Sequence, residues 1–147
     1  MAGLVPWWIS RWEFQITFAG MSMARYLGAA LIAAGISGLA DSFLRFALQG
    51  LGTPAPIAPT RHLIVTGLYR YVRNPMYVAV AAIILGQALL FGDWRLFVYG
   101  ALFCLVCHLF IIAYEEPTLQ KSFGPEYELF QANVPRWIPR LTAWHKE

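Results

Sequence analysis

Three long apolar segments, separated by polar turns, constrain the fold of this chain more than any other feature. They extend from Tyr26 to about Leu48, from Pro75 to Phe91 and from Leu96 to Tyr114. About 20 apolar residues cross the hydrocarbon core of a bilayer as a helix, and a helix satisfies its own backbone hydrogen bonds in lipid. We therefore expect an all-α integral membrane protein with about three transmembrane helices, the last two forming a hairpin.

The composition supports this reading. Of 147 residues, 59% are hydrophobic and 13% are charged, against roughly 45–50% and about 25% in soluble domains. The mean hydropathy is +0.53. The length fits a single domain, residues 1–147, in which 1–48 form an interfacial segment and a first span, and 49–147 form a loop, the hairpin and a tail. The modest net charge of +3 leads us to expect membrane lipids as partners and no nucleic acid.

The cysteines are interpreted as packing residues. Cys104 and Cys107 are the only cysteines, and His108 is the nearest candidate for a further metal ligand. A thiol inside an apolar helix usually behaves as a small hydrophobic group. We expect no metal site here.

The N-terminal part is expected to lie in the membrane interface before it spans the bilayer. Residues 1–25 are rich in aromatic residues but are interrupted by Arg11 and Glu13, which favours an interfacial amphipathic helix. We expect no cleavable signal peptide. Asp41 lies inside the first span, where an acid can mark a functional site. Arg45 follows four residues later, and we favour an internal ion pair.

The tail and the linker have simpler patterns. Residues 49–60 are rich in Gly and Pro and are expected to form a linker. After Gly124-Pro125, Tyr127, Phe130 and Val134 recur at helical spacing, which predicts a short C-terminal amphipathic helix.

The stretch from Arg61 to Tyr77 is the most basic part of the chain. Asn74-Pro75 is typical of a helix start, with Asn as N-cap and Pro at the first helical position. Such a helix terminus, next to Arg73, suits a carboxylate or a phosphate.

The distribution of basic residues predicts the topology. On one side, Arg45 lies near the end of the first span, and Arg61, Arg70 and Arg73 lie between that span and the hairpin. Four further basic residues lie in the tail, whereas the other side holds three. The positive-inside rule therefore places loop 49–74 and the tail in the cytoplasm.

The antiparallel hairpin brings the start of one helix level with the end of the other. We expect Arg73, Asn74 and Tyr77 to lie within reach of Tyr114 and the Glu115-Glu116 pair. Acids at a helix C-terminus are disfavoured by the helix dipole, which favours a functional role for at least one of them. The rim could bind a zwitterionic cofactor such as S-adenosylmethionine or a phospholipid headgroup.

The ordered motifs GLYRYVRNPMY, EEPTLQKSFGPEYELF and VPRWIPRL resemble the isoprenylcysteine carboxyl methyltransferase family. That family belongs to a wider group of integral-membrane methyltransferases that includes phospholipid N-methyltransferases. The resemblance covers about the last ninety residues. It implies an all-helical membrane fold and S-adenosylmethionine bound at the cytoplasmic face by the hairpin and its flanking loop.

The resemblance also implies site residues. The expected cofactor-binding residues are His62, Leu63, Ile64, Val65, Tyr69, Asn74, Pro75, Met76, Tyr77 and Glu116. Arg73 would orient a carboxylate, and Glu115 or Glu116 would bind the cofactor or accept a proton; Arg73 and Glu115 are our catalytic candidates. The eukaryotic members have a basic residue one turn before the last glutamate, where this chain has Ile112.

The favoured hypothesis is methyl transfer to a small lipophilic acceptor, on a carboxylate or a thiol. A phospholipid amine methyltransferase and a non-catalytic scaffold or headgroup-binding protein are the alternatives. The N-terminal half is short compared with many relatives, which is compatible either with a lost first span or with a homodimer that completes the helical bundle.

Overall fold

The computed structural model describes residues 1–14, 21–49 and 63–145. These residues form six α-helices and no strand: α1 (Leu4–Ser10), α2 (Met21–Gln49), α3 (Pro75–Phe91), α4 (Trp94–Phe110), α5 (Glu116–Phe123) and α6 (Pro125–Asn133). A 3₁₀ turn spans Gly67–Arg70, and a π segment spans Ile111–Glu115. The expected all-helical fold is confirmed for this part of the chain. Almost all of the predicted linker, residues 49–60, lies outside the described residues, and so does His62.

Two helical stretches among the described residues are long and apolar enough to cross a membrane, Ser22–Arg45 and Trp94–Phe123. The apolar helix α3 has 17 residues. At 1.5 Å per residue it is about 26 Å long, close to the roughly 30 Å hydrocarbon thickness. Length and composition therefore identify two candidate spans, while a third span at α3 stays a prediction.

The chain divides into two compact units. The first comprises Met1–Ser37 and Tyr77–His108, and the second comprises Gly38–Met76 and Leu109–Glu147.

Glycines allow close helix packing in the first unit. An added Cβ at Gly28 of α2 would lie 2.6 Å from the carbonyl oxygen of Gly86, and one at Gly86 would lie 2.7 Å from that of Gly28. Gly35 lies against Ala79 and Ile83 of α3 in the same way. In lipid, where helices associate by van der Waals packing, small residues let two backbones approach. The small residues of α2 therefore have a packing role against α3.

A buried glutamine connects the N-terminal segment to α3. The Gln87 side chain donates a hydrogen bond of 2.7 Å to the carbonyl oxygen of Ala2 and accepts one of 3.2 Å from the Trp12 indole. A buried amide without partners would be strongly destabilising. Gln87 thus fixes the position of the chain around α1. This helix has 7 residues and lies within residues 1–25, where the sequence predicted an interfacial helix.

The second unit is organised around the C-terminal tail. Its core contains Tyr127 and Phe130 of α6 together with Val134, the residues whose helical spacing predicted this helix. Beyond α6 the tail runs beside residues 70–74. Backbone hydrogen bonds join Arg73 N–H to Pro135 O at 2.9 Å and Arg140 N–H to Tyr71 O at 2.9 Å. The tail therefore fixes the conformation of the basic stretch.

The return helix extends further than the sequence indicated. We expected it to end at Glu115-Glu116-Pro117, but helical structure continues through the π segment and α5 to Phe123. Proline inside a helix removes a backbone donor and its ring crowds the carbonyl four residues earlier. One wider turn before Pro117 relieves this conflict, which explains why the π segment lies there.

The turn between α3 and α4 is fixed by Asp93, whose exposed fraction is 2%. One carboxylate oxygen accepts a 3.0 Å hydrogen bond from the Arg95 backbone N–H, and the other accepts one of 2.7 Å from its guanidinium. Hydrogen bonding from Arg95 lowers the pKa of Asp93, while burial opposes this shift. Asp93 thus caps α4 as a carboxylate.

We predict that Gly28→Ala destabilises the protein by about 1–3 kcal/mol, because the added methyl group meets backbone atoms of α3 that cannot move aside. Thermal unfolding in detergent, followed by circular dichroism, measures this change. Gly3→Ala is the control, since a Cβ there meets nothing within 4 Å. A Gly28→Ala protein as stable as the wild type would contradict the close packing.

We predict that Asp93→Asn lowers stability at pH 6 and that its difference from the wild type shrinks as the pH falls below about 4. A carboxyl with a lowered folded-state pKa stabilises the protein above its unfolded-state pKa and loses this contribution as it is protonated. Chemical unfolding of both proteins between pH 3 and pH 6 tests this. A constant difference across that range would exclude the carboxylate as the cause.

Candidate functional site

The basic stretch is shaped by a tight turn. Gly67 has a φ of +55°, a left-handed conformation that a glycine adopts without strain. The 3₁₀ turn follows, and it directs Tyr69 into the protein, where that side chain is buried. Arg73 and Asn74 then precede α3. Asn74 is also buried, and its side-chain amide donates a 3.2 Å hydrogen bond to the carbonyl oxygen of Arg136.

The Glu116 carboxylate lies between two guanidinium groups. Arg73 Nη1 donates to Glu116 Oε1 at 3.0 Å, and Arg136 donates to both Glu116 oxygens at 2.8 and 2.9 Å. The exposed fractions of the Arg73 and Glu116 side chains are 9% and 13%. Hydrogen bonding to Glu116 raises the pKa of Arg136. The expected meeting of the arginine turn with the glutamate pair is therefore confirmed for Arg73 and Glu116.

A cavity of about 80 Å³ lies beside this ion cluster. Its lining combines charged and polar groups on one side with apolar and aromatic side chains on the other: Leu63, Ile64, Tyr69, Arg73, Asn74, Ile111, Glu115, Glu116, Leu119, Tyr127 and Phe130. The π segment supplies Ile111 and Glu115, and α5 begins with Glu116. Both acids of the pair thus line one cavity.

The tyrosines of the cavity keep their hydroxyl protons at physiological pH. Burial raises the pKa of Tyr69, and the nearby Glu115 and Asp41 carboxylates raise it further. Burial also raises the pKa of Tyr127, with Arg73 opposing this effect. Both phenols therefore remain neutral and can donate hydrogen bonds.

The chemistry of the lining suits a zwitterion that carries an aromatic ring. Arg73 Nε is buried and has no hydrogen-bond partner, so this guanidinium retains a donor for an anionic group. Glu115 can face a cation, and the tyrosine and phenylalanine rings can stack on a base or contact a sulfonium. The volume is smaller than the roughly 300 Å³ of ordinary small-molecule sites. A molecule of nucleoside size therefore requires the walls to move apart.

The structure places the predicted site residues as follows. Leu63, Ile64, Tyr69, Asn74 and Glu116 line the cavity, as do the catalytic candidates Arg73 and Glu115. The remaining candidates lie elsewhere: Val65 lines a separate pocket, Pro75 and Met76 begin α3, Tyr77 belongs to the first unit, and His62 lies outside the described residues.

Two residues of the site were not among the predicted ones. Arg136 was counted only as a topological charge, and Tyr127 only as a position on an amphipathic helix. Arg136 lies 20 residues after Glu116 in the chain. The motif VPRW carries this arginine, but its ion pair depends on the path of the tail.

An open groove lies on another side of Glu116. It is lined by Ile112, Glu116, Pro117, Gln120, Tyr127, Glu128 and Gln131. Glu116 and Tyr127 therefore face both the small cavity and this groove. Ile112, which stands in place of a basic residue, has an exposed fraction of 44%.

The described residues combine apolar helices of membrane-spanning length with a polar cavity at an arginine–glutamate cluster, which defines a small helical membrane protein. Residues 23–126 match the family model described as phospholipid methyltransferase. Because the match covers more than half of the chain, the chain belongs to the phospholipid methyltransferase family, and the resemblance inferred from the motifs is confirmed.

Two known proteins are similar to parts of this chain. The chain is 43% identical over 84 residues to a protein-S-isoprenylcysteine O-methyltransferase of Schizosaccharomyces pombe, covering 54% of this chain and 34% of that protein. It is 35% identical over 63 residues to an uncharacterized protein of Haemophilus influenzae, covering 43% of this chain and 100% of that protein. The chain thus spans about a third of the length of the yeast relative. No solved structure matches it.

We predict a strong coupling between Glu116 and Arg136. In a double-mutant cycle of Glu116→Gln and Arg136→Gln, the second substitution should lower the free energy of unfolding much less when the first is already present. The expected interaction free energy is roughly 0.5–3 kcal/mol. Unfolding by denaturant in detergent measures the four stabilities.

The matched cycle pairs Glu116→Gln with Arg140→Gln. The Arg140 guanidinium donates to the carbonyl oxygen of Asn133, so this cycle should be additive within about 0.5 kcal/mol. Equal coupling in both cycles would show that the Arg136 ion pair has no specific role.

Proposed function

We propose that this chain transfers a methyl group from S-adenosylmethionine to a lipophilic acceptor at the membrane surface. The observation that carries the proposal is one cavity shared by the Arg73-Asn74 turn and the Glu115-Glu116 pair. Family membership supports methyl-transfer chemistry, and the helices of membrane-spanning length support a lipophilic acceptor. We further propose that loop 49–74 and the tail face the cytoplasm and that residues 1–147 act as one domain.

Each polar group of the cavity has a proposed task. Arg73, with its unpaired Nε, would bind the cofactor carboxylate. Asn74 and Tyr69 would contribute further donors, and Glu115 would face the cationic end. Leu63, Ile64 and Phe130 would exclude water. The cofactor supplies an electrophilic methyl group on a sulfonium. The proposed contribution of the chain is alignment in a dry site, which can be worth roughly 7–11 kcal/mol.

Glu116 is proposed to organise the site more than to hold the cofactor directly. Its carboxylate already accepts three hydrogen bonds from Arg73 and Arg136. Removing it would leave these two cations partly buried without a partner, which is strongly destabilising. A Glu116→Ala protein would therefore lose stability as well as cofactor binding, and Glu115 is the better position for testing the cofactor contact.

The acceptor is proposed to be a carboxylate or a thiol of a small lipophilic molecule. A carboxylate acceptor releases no proton on methylation, so the site needs a cation to position it. A thiol acceptor would release a proton, for which Glu115 is the proposed base. Arg136, whose side chain has an exposed fraction of 27%, can supply that cation in place of the basic residue missing at Ile112.

A phospholipid amine is the second candidate acceptor. The open groove beside Glu116 also contains Glu128, and carboxylates along a groove attract an ammonium headgroup. An amine that gains a methyl group must release a proton, and Glu115 is the proposed base. The third candidate is a headgroup-binding protein without catalysis, which would bind lipid but no S-adenosylmethionine.

We predict that the purified protein binds radiolabelled S-adenosylmethionine in detergent and that Glu115→Gln weakens this binding about tenfold, because a charge-assisted contact is lost. Equilibrium dialysis measures the affinity. Incubation with a lipid extract, followed by mass spectrometry of the methylated products, then separates esters and thioethers from methylated amines.

Glu126→Gln is the matched control, because it also replaces a glutamate by a glutamine and Glu126 does not line the cavity. It should bind the cofactor as the wild type does. Failure of the correctly folded wild type to bind S-adenosylmethionine would exclude the methyltransferase and leave the non-catalytic alternative.

A further inference from the structure

A second pocket, of about 440 Å³, lies on the outer side of the 3₁₀ turn. It is lined by Arg45, Val65, Thr66, Gly67, Arg70, Trp144 and His145. None of the polar side chains among these belongs to the cavity around Glu116. The pocket is open and contains two guanidinium groups, a hydroxyl and an imidazole.

Arg70 carries an unused donor in this pocket. Its Nε donates a 2.8 Å hydrogen bond to the carbonyl oxygen of Trp144, and its backbone carbonyl accepts a 3.0 Å bond from the Trp144 N–H. These bonds fix the guanidinium in place. Its Nη2 is buried and has no hydrogen-bond partner. Because an unpaired buried charge-bearing donor is destabilising, such an atom indicates a missing acceptor.

Arg45 is held in a defined position on the other side of the pocket. Its Nε and Nη2 donate to the Asp41 carboxylate at 2.9 Å, which confirms the predicted ion pair. A Cβ at Gly67 would collide with this guanidinium, so glycine lets Arg45 lie against the backbone. Asp41 offsets one of the two positive charges, and Arg70 leaves the pocket with a net positive charge.

The position of the pocket relative to the membrane indicates the kind of ligand it meets. The candidate span Ser22–Arg45 ends at Arg45, and the end of a span lies at the level of the lipid headgroups. Phospholipid phosphates lie at that level, whereas soluble anions are dilute by comparison. Arginine binds phosphate oxygens through charge-assisted hydrogen bonds.

We propose that this pocket binds the phosphate group of an anionic membrane phospholipid. The phosphate oxygens accept hydrogen bonds from Arg70 Nη2 and from the Arg45 guanidinium, and the acyl chains extend along the membrane. The lipid thereby connects the end of α2 to the tail through Arg70 and Trp144. The assignment is independent of the methyl-transfer proposal.

Native mass spectrometry of the detergent-purified chain tests the proposal, with phosphatidylglycerol as the probe and diacylglycerol of the same chains as the phosphate-free comparison. The wild type should retain phosphatidylglycerol in preference to diacylglycerol. Arg70→Gln should weaken phosphatidylglycerol binding about tenfold, because a charge-assisted bond is lost. Arg140→Gln removes the same charge outside the pocket and should bind as the wild type does.

Arg70→Lys separates lipid binding from folding. This variant alters the bond to Trp144, as Arg70→Gln does, but it keeps the positive charge. Because the charge is kept, it should bind more phosphatidylglycerol than Arg70→Gln does. Equal losses in both variants, or equal binding of both lipids by the wild type, would overturn the proposal. Displacement of the lipid by millimolar inorganic phosphate would show a site for soluble phosphate and would overturn the lipid assignment.

Discussion

The ion cluster of Arg73, Glu116 and Arg136 is the interaction on which the second unit depends. It joins three distant parts of the chain: the basic turn, the start of α5 and the C-terminal tail. A partly buried carboxylate is tolerated because several charge-assisted hydrogen bonds replace its hydration. The cluster has one carboxylate for two cations, and Glu115, the second acid that lines the cavity, balances the remaining positive charge. A site with equal numbers of cationic and anionic groups is suited to a zwitterion.

The apolar helices and the polar cluster obey different physical constraints. In the first unit, glycine contacts between α2 and α3 allow close packing without polar groups. Gln87 is an exception, and its hydrogen bonds connect it to the N-terminal segment. In the second unit, the hydrogen bonds of the tail organise loop residues that form no regular helix. The proposed site lies in this second unit, where not all hydrogen-bond donors of the backbone and side chains are used within helices.

The 3₁₀ turn presents different residues to two pockets. Tyr69 is directed into the cavity beside Glu116, whereas Arg70 lines the open pocket with Arg45. A turn with three residues per turn directs neighbouring side chains about 120° apart, which makes this division possible within one short segment. A lipid phosphate bound at Arg70 would therefore contact the same turn that positions Tyr69. The methyl-donor site and the membrane surface would share one structural element.

The helical class, the start of α3 at Pro75, the ion pair of Asp41 with Arg45 and the amphipathic face of α6 could all be predicted from the residues alone, because each depends on residues close together in the chain. The sequence also indicated that Arg73 would meet Glu116, since a short turn between apolar helices leaves one antiparallel arrangement. Three features emerge only once the chain is folded: Arg136 completes the cluster, Tyr127 lines the cavity, and Arg70 faces a separate pocket. The contacts of Arg136 and Arg70 depend on the path of the tail, which forms no helix in the described residues after Asn133 and is fixed by hydrogen bonds to a turn more than 60 residues earlier.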